Sequence, residues 1–272
     1  MKLRKIAASL IACSLVLSLA ACGSSKSGPV KEGSLVVGAS PSPHAEILQA
    51  ASSLLEEKGY KLEVKEFTDY VMPNTALDEG ELDANFFQHQ PYLTDFNEKN
   101  GTKLVSAGAI HFEPLGIYGG RTADLSQLAD GAQIAVPNDT TNEARALQLL
   151  QAQGILTIDE KAGLEATKQD ITDNPKNVQI VEMEAAQLPR ALADVDFAVI
   201  NGNYAVSAGI ADQVLVTEDK DSQAAQQYAN VVAVREGDEN REDIKALVEA
   251  LQSEEVRQFI EEKYGATVVP VF

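Results

Sequence analysis

The sequence predicts an α/β protein with two lobes. From Ser34 onward, short runs rich in β-branched residues alternate with amphipathic helical segments, a pattern typical of helices packed on largely parallel sheets. This alternation runs as far as Leu93, and a second round of it begins at "KLVSAGAI". The chain has 272 residues, of which 44% are hydrophobic, so it is long enough to bury a sizeable core.

The first round of the alternation contains strands and two helices. "SLVVGAS" predicts the first strand, and Ser42 before Pro43 indicates the start of a helix over residues 43–58. "KLEVKEF" predicts the next strand. Asn74 is expected to cap a short helix that ends at Gly80, and "DANFF" predicts a further strand.

The second round repeats the pattern. "KLVSAGAI", "QIAVP", "VQIVE" and "DFAVI" predict strands, and helices are expected near residues 141–153 and 188–193. At the start of the first of these helices, Thr140 and Glu143 have the spacing of a capping box. Gly154 supplies the stop at its other end.

The chain closes with the strand "NVVAVR" and two amphipathic helices, which are expected to pack back on the first lobe. We expect crossings between the lobes at about residues 113–118 and 230–235. Lobe I then comprises residues 34–113 and 232–272, and lobe II comprises residues 114–231.

The N-terminal residues predict a secreted lipoprotein. Lys2, Arg4 and Lys5 precede an apolar run that is too short for a membrane-spanning helix, so residues 1–21 are expected to be a signal peptide. The run ends in "LAAC", which resembles the bacterial lipobox, so we expect Cys22 to be acylated. The alternative is a plain signal peptide in which Cys22 has no role.

Residues 22–33, rich in Gly, Ser and Lys, predict a flexible tether behind the lipid. The protein would then be lipid-anchored at the extracytoplasmic face of the cell membrane. Cys13 is the only other cysteine and lies in the signal peptide, so the mature chain can form no internal disulfide. The net charge of −19 argues against nucleic acid or anionic lipid as a partner, because both bind clustered cations.

Ligands of open α/β sheets collect beyond the carboxyl ends of the strands, and polar and aromatic residues follow several of the predicted strands. Their convergence would form a small-molecule site in a cleft between the lobes. The residues are Thr68, Asp69, Tyr70, Phe86, Phe87, His89, Asn138, Asp139, Arg145, Asn201, Asn203 and Tyr204.

Arg145 lies in the second turn of the helix near residues 141–153. A cation there opposes the helix dipole, and a ligand carboxylate would compensate for it by binding both the helix start and the guanidinium. The alternative is an exposed arginine or one paired with a local acid. Asn201 can accept from an ammonium and donate to a carboxylate, and Asn203 is either a site residue or simply part of an Asn-Gly turn.

Tyr70, Phe87 and His89 can wall an apolar pocket or belong to the core. Phe86 and Phe87 are neighbours on a strand and should point to opposite faces. His44, His89 and His111 together with Glu113 could in principle hold a metal, although their spacing does not require it. We find no nucleophile elbow, phosphate-binding loop or dinucleotide motif, so neither catalysis nor a cofactor is expected.

Four stretches in one order resemble the NlpA/MetQ family of lipoproteins, the substrate-binding subunits of methionine ABC importers. They are "FTDYVMPNTALDEGELDANFFQHQPYL", "VPNDTTNEARALQLLQ", "NPKNVQIVEMEAAQLPRALADVDFAVINGNYA" and "NVVAVR". The resemblance implies a two-lobed periplasmic-binding-protein fold with two crossover strands. It also implies a monomeric protein that captures methionine and delivers it to an ABC permease and its ATPase.

The resemblance also assigns roles. It places the ligand arginine on Arg145 and the asparagines that bind the ligand backbone on Asn201 and Asn230. It places the aromatic wall on Tyr70 and Phe87, with His89 beside it.

Two questions stay open within the resemblance. His111 and Glu113 either face the cleft, where Glu113 would pair with the ligand ammonium, or are hinge residues. The ligand is L- or D-methionine, a methionine dipeptide or another small apolar amino acid, and a metal-binding lipoprotein is the alternative from a different class.

Overall fold

The computed structural model describes residues 33–219 and 227–272. The signal peptide, Cys22 and all but the last residue of the predicted tether lie outside these ranges. Among the described helices, none has the length and apolar composition that crossing a bilayer requires.

The described residues form α-helices and strands in alternation, as the sequence predicts. The strands are β1 (Ser34–Ala39), β2 (Lys61–Glu66), β3 (Ala84–His89), β4 (Leu104–Phe112), β5 (Gly116–Gly119), β6 (Gln133–Pro137), β7 (Thr157–Ile158), β8 (Ile171–Asp173), β9 (Gln179–Met183), β10 (Phe197–Ile200), β11 (Val214–Thr217), β12 (Asn230–Arg235) and β13 (Val269–Pro270). The helices are α1 (Glu46–Ala50), α2 (Ser52–Glu57), α3 (Met72–Asp78), α4 (Gln90–Asn100), α5 (Thr140–Ala152), α6 (Leu188–Ala191), α7 (Gly202–Ser207), α8 (Glu242–Leu251) and α9 (Glu254–Tyr264).

Two sheets form the centres of two lobes. One has six strands in the order β13-β4-β12-β3-β1-β2, and the other has five in the order β11-β5-β10-β6-β9. The chain leaves the six-stranded sheet between β4 and β5 and returns to it between β11 and β12. The two crossings of the predicted fold are therefore present. The first lies where it was predicted, whereas the second lies between Thr217 and Asn230, ahead of the predicted residues 230–235, which form β12.

Both sheets are mixed, so the prediction of largely parallel sheets is wrong. β1 is parallel to β2 and β3, whereas β12 is antiparallel to β3 and β4. In the other sheet β6 is parallel to β9 and β10, whereas β5 is antiparallel to β10 and β11. The reason is the topology: strands joined by crossover helices run parallel, while strands next to a crossing run the other way.

The C-terminal helices pack on the six-stranded sheet, as predicted. Ile244 and Leu247 of α8, together with Val256 and Ile260 of α9, lie in one buried cluster with Val37 of β1. Each pair is three or four residues apart on its helix, which places both side chains on the face that meets the sheet.

Asn74 does not cap α3. The N-cap position is Val71, whose side chain makes no capping hydrogen bond. Oδ1 of Asp69, just before the helix, accepts hydrogen bonds from the backbone N–H groups of Val71 and Met72 at 2.8 Å each. Asn74 lies inside the helix, fully buried, and its side chain bonds to Asn85 and Gln88 of β3. A short polar side chain can serve either role, and here the buried amides of β3 determine which one it takes.

Helix α4 was missed. It begins after His89, whose Nδ1 accepts from the backbone N–H of Tyr92 at 3.1 Å, and histidine is not among the residues preferred as caps. Pro91 in its first turn and the left-handed Gly101 at its end were the available signals.

Candidate ligand-binding site between the lobes

A cavity lies between the two sheets. Both sheets contribute to its wall through the ends of their strands and the helices that follow, at the position where open α/β sheets bind ligands. The lining residues are Tyr70, Phe87, Gln88, His89, Tyr92, Glu113, Asn142, Arg145, Asn201, Gly202, Asn203 and Asn230.

The wall from the six-stranded sheet is aromatic. The ring of Tyr70 lies 5.9 Å from that of Phe87 and 5.7 Å from that of Tyr92. Phe86, the neighbour of Phe87, points the other way into the fully buried core, as the alternation of a strand predicts. The cavity therefore has one apolar end.

Arg145 on α5 forms the opposite, charged part of the wall. It is buried, and its Nε and Nη2 donate to Oε1 and Oε2 of Glu218 at 2.8 and 2.5 Å. Nη2 also donates to the backbone oxygen of Glu113 at 2.9 Å, and the guanidinium lies 4.3 Å from the ring centre of Tyr228. Arg145 thus lines the cavity and is also paired with an acid. The sequence analysis had given a ligand-binding arginine and an acid-paired arginine as alternatives, and Arg145 has both features.

The cap of α5 is Asp139 rather than Thr140. Oδ1 of Asp139 accepts from the backbone N–H of Asn142 at 3.1 Å. Glu143, the other half of the predicted capping box, instead accepts from the backbone N–H of Lys168 at 2.9 Å. The capping box is therefore wrong, whereas Gly154 just beyond α5 is left-handed, as expected of a helix stop.

Glu113 lies between the cavity and two buried histidines. Its Oε1 is 2.8 Å from Nε2 of His111 and 3.4 Å from Nε2 of His44, which in turn lies 3.0 Å from Oδ1 of Asn230. Burial lowers the pKa of His44 to about 4 and that of His111 to about 3, so both are neutral at pH 7. Burial raises the pKa of Glu113, against the lowering influence of His44.

Three of the four residues that could hold a metal lie close together, and the fourth does not. The ligand atoms of His44, His111 and Glu113 lie within 4.8 Å of one another. His89 is elsewhere, and its Nε2 bonds to Oδ1 of Asn142 at 3.1 Å.

Two asparagines leave polar atoms without a partner. Asn201 uses its Nδ2 to donate to Oδ1 of Asn142 at 2.8 Å, and its own Oδ1 is buried and unpartnered. The Oδ1 of Asn203 accepts from the hydroxyl of Tyr70 at 2.5 Å, and its Nδ2 is buried and unpartnered. Buried polar atoms are normally satisfied, so an unpartnered acceptor and an unpartnered donor in the wall of one cavity point to a ligand.

Seven of the eight predicted binding residues line the cavity, namely Tyr70, Phe87, His89, Glu113, Arg145, Asn201 and Asn230. His111 does not; it is fully buried behind Glu113. The sequence did not indicate four further lining residues, which are Gln88 within β3, Tyr92 just after β3, Asn142 after β6 and Gly202 after β10. It also missed Glu218, for which no local signal exists.

Two α/β lobes joined by two chain crossings enclose this cavity, and charged, amide and aromatic groups converge on it. These features define a solute-binding protein of the periplasmic-binding-protein class. The family model described as NlpA lipoprotein matches residues 35–272. The chain therefore belongs to the NlpA lipoprotein family, which consists of substrate-binding proteins of ABC transporters and not of enzymes.

Individual relatives are similar over most of their length. The methionine-binding lipoprotein MetQ of Bacillus subtilis is 42% identical over 260 residues, which cover 93% of each chain. The D-methionine-binding lipoprotein MetQ of Salmonella typhimurium is 42% identical over 247 residues, or 88% of each chain. A nutrient binding protein from Burkholderia cenocepacia, solved bound to methionine, has a TM-score of 0.83 at 44% identity and covers 88% of this chain and 100% of that one.

Proposed function

We propose that this protein captures methionine in the cavity between its lobes and delivers it to the permease of an importer driven by an ATPase. The names of its MetQ relatives and the methionine in the Burkholderia cenocepacia protein support this ligand. The observation that carries the proposal is the pair of unpartnered groups in the cavity wall, Oδ1 of Asn201 and Nδ2 of Asn203.

These groups, together with the two charges, fit the two ends of an α-amino acid. The acceptors, Oδ1 of Asn201 and the carboxylate of Glu113, suit an ammonium, and we assign Asn230 to the same end of the ligand. The donors, Nδ2 of Asn203 and the guanidinium of Arg145, suit a carboxylate. Because the site offers both polarities, it favours a zwitterion over a simple acid or amine.

The aromatic end suits a thioether. Tyr70, Phe87 and Tyr92 surround the space that the ligand side chain would fill, with His89 at its edge. A sulfur atom about 5 Å from an aromatic ring gains roughly 0.3–1.5 kcal/mol over a simple hydrophobic contact. We therefore prefer methionine to an aliphatic amino acid of the same length.

The size of the cavity favours a single amino acid. The hydroxyl of Tyr70 in lobe I donates to Oδ1 of Asn203 in lobe II, so this closed form leaves little room beyond one small ligand. A methionine dipeptide would need the lobes to open further, since the contact between Tyr70 and Asn203 closes the cavity on one side.

The proposal includes where the protein is held in the cell and how its lobes move. We assign residues 1–21 to a signal peptide and the lipid to Cys22, so that the protein is held at the extracytoplasmic face of the cell membrane by its tether. Lobe I, residues 34–113 and 232–272, and lobe II, residues 114–231, would close on the ligand as hinged bodies. We expect a monomer, because large exposed apolar side chains are few among the described residues.

The direct test is mass spectrometry of the small molecules that the purified protein releases when it is denatured. Calorimetric titration of the ligand-free protein follows. L-methionine, D-methionine and the dipeptide Gly-Met are the ligands to titrate. Tight binding of either methionine is the expected result. Failure of all three to bind, with another compound released, would contradict the proposal.

A further inference from the structure

We propose that Asn142, held by Asp139 and His89, is a positioning residue that fixes the amide of Asn201 with its oxygen toward the cavity and so makes the site require a ligand ammonium group. This inference rests on the proposed function, because it concerns the amino end of the proposed ligand. Asn142 itself is almost fully buried on the first turn of α5.

Asp139 sets one side of the Asn142 amide. Its Oδ1 accepts from the backbone N–H of Asn142 at 3.1 Å, which identifies this oxygen as an acceptor, because a backbone N–H can only donate. The same oxygen lies 2.8 Å from Nδ2 of Asn142. The NH₂ group of Asn142 must therefore face Asp139, and its Oδ1 must face the other way.

His89 sets the other side independently. Its Nδ1 accepts from the backbone N–H of Tyr92 at 3.1 Å, so the proton of the neutral ring is on Nε2. Nε2 lies 3.1 Å from Oδ1 of Asn142 and donates to it. Burial lowers the pKa of His89 to about 3, in keeping with a neutral ring. Two unrelated contacts thus require the same orientation of the Asn142 amide.

The orientation of Asn142 determines that of Asn201. Oδ1 of Asn142 can only accept, so the group of Asn201 that lies 2.8 Å away must be its NH₂. Asn201 precedes α7, but its side chain does not cap the helix, so its Oδ1 accepts no hydrogen bond from the first turn of α7. That oxygen is buried, has no partner and belongs to a residue of the cavity wall.

The consequence concerns selectivity. A ligand ammonium can only donate, and it finds an acceptor whose orientation is already fixed. Had the amide of Asn201 been free to rotate, its NH₂ group would face the ligand part of the time and would reject a cation. Glu113 supplies negative charge at the cavity but is not part of this chain of hydrogen bonds, so it remains when the chain is broken.

The test compares methionine with its 2-hydroxy analogue, whose hydroxyl can either donate or accept. In Asn142→Leu we expect binding of methionine to weaken by at least about tenfold and binding of the analogue by less than about threefold, since a charge-assisted hydrogen bond is lost only for methionine. Asp139→Gly, which keeps an acceptable helix cap, should shift the ratio of the two dissociation constants in the same direction by less.

Asn97→Leu is the matched control. Asn97 also makes several side-chain hydrogen bonds, to Thr102 and Leu104, but does not line the cavity. The Asn97→Leu substitution should lower the midpoint temperature of thermal unfolding and leave the ratio of the two dissociation constants unchanged. Equal weakening of both ligands in Asn142→Leu, or no weakening of methionine, would overturn the inference.

Neutron diffraction of the unliganded protein decides the orientation without any ligand, since it distinguishes the ND₂ group of a deuterated asparagine from its oxygen. An ND₂ group of Asn201 directed into the cavity would disprove the inference even if methionine binds. If the wild-type protein does not bind methionine but its Asn201 oxygen faces the cavity, the proposed function fails and the orientation argument stands.

Discussion

Glu218 holds the guanidinium of Arg145 along one edge, with both carboxylate oxygens engaged at 2.8 and 2.5 Å. Oε2 of Glu218 also accepts from the backbone N–H of Leu115 at 2.8 Å, so the carboxylate itself is fixed. None of the hydrogen bonds between described residues uses Nη1 of Arg145. The pair therefore orients a cation beside the cavity, and the acid that neutralises it is not in the cavity wall.

Replacement of Arg145 by Ala should weaken methionine binding by about 2–5 kcal/mol, because a desolvated charge pair with the ligand carboxylate is lost. Arg145→Lys should recover only part of this loss, since an ammonium cannot reproduce the planar fork. Calorimetric titration measures both. Arg121→Ala is the control, because Arg121 is half exposed and its partner Asp196 precedes β10, at the opposite end from Asn201. Unchanged binding in Arg145→Ala would contradict the carboxylate assignment.

Glu218→Ala should destabilise the unliganded protein by about 3–5 kcal/mol, because it leaves a buried guanidinium without its counterion. The free energy of unfolding from urea titration checks this. Glu242→Ala, which removes an exposed partner of Lys245, should have little measurable effect. Equal stabilities of the two variants would show that the buried pair contributes no more than a surface pair.

Phe87→Leu should reduce the preference for methionine over norleucine, which has a methylene group in place of sulfur. The wild-type preference is expected to be about twofold to tenfold, from a sulfur–aromatic contact of roughly 0.3–1.5 kcal/mol. Phe86→Leu is the control: it opens space in the core behind the same strand, so it should lower stability and keep the preference. A preference that Phe87→Leu leaves intact would remove this ring from the thioether contact.

The three buried histidines should lower the free energy of unfolding between pH 7 and pH 5. The pKa is about 4 for His44 and about 3 for His89 and His111, whereas the ordinary value of 6.5 applies in the unfolded chain. Below pH 6.5 the unfolded state therefore binds more protons, and stability is lost progressively as the pH falls toward 4. The raised pKa values of three acids, Glu113, Asp139 and Glu143, act in the opposite direction, and that of Glu143 is about 7. The histidine contribution is therefore measured as the difference between the wild type and a histidine variant.

Urea titrations at the two pH values measure this loss. His44→Gln should show a weaker pH dependence than the wild type, because one of the three groups that take up a proton on unfolding is gone. The same pH dependence in His44→Gln as in the wild type would contradict the prediction.

Cys22→Ala should release the protein from the membrane fraction, because the proposed acylation site is gone. Fractionation of expressing cells and intact mass of the purified protein measure the anchor. Cys13→Ala is the natural control, since Cys13 lies in the segment that is expected to be removed, and this variant should stay in the membrane. A Cys22→Ala protein that remains there would disprove the lipid anchor.

Local pattern was sufficient for most elements and for the chemistry of several site residues. The spacing of apolar residues places most of the long strands, the helix α5 and the opposite faces of Phe86 and Phe87, because burial on one side of an element repeats with the period of its backbone. It does not place α4, α7 or the short strands β7, β8 and β11. Gly154 indicates the end of α5 for a similarly local reason. The positions of Arg145 and Asn201 just beyond predicted strands also follow from the sequence.

Only the tertiary structure determined which partners these residues have. Arg145 and Glu218 are 73 residues apart, Tyr70 and Asn203 are 133 apart, and His44 and Asn230 are 186 apart. No periodicity records such pairs, because they arise from the closing of two lobes around one cavity. The antiparallel half of each sheet follows from the topology of the chain, and the direction in which the Asn201 amide points follows from its contact with Asn142. Each is set by a neighbour from a distant part of the chain.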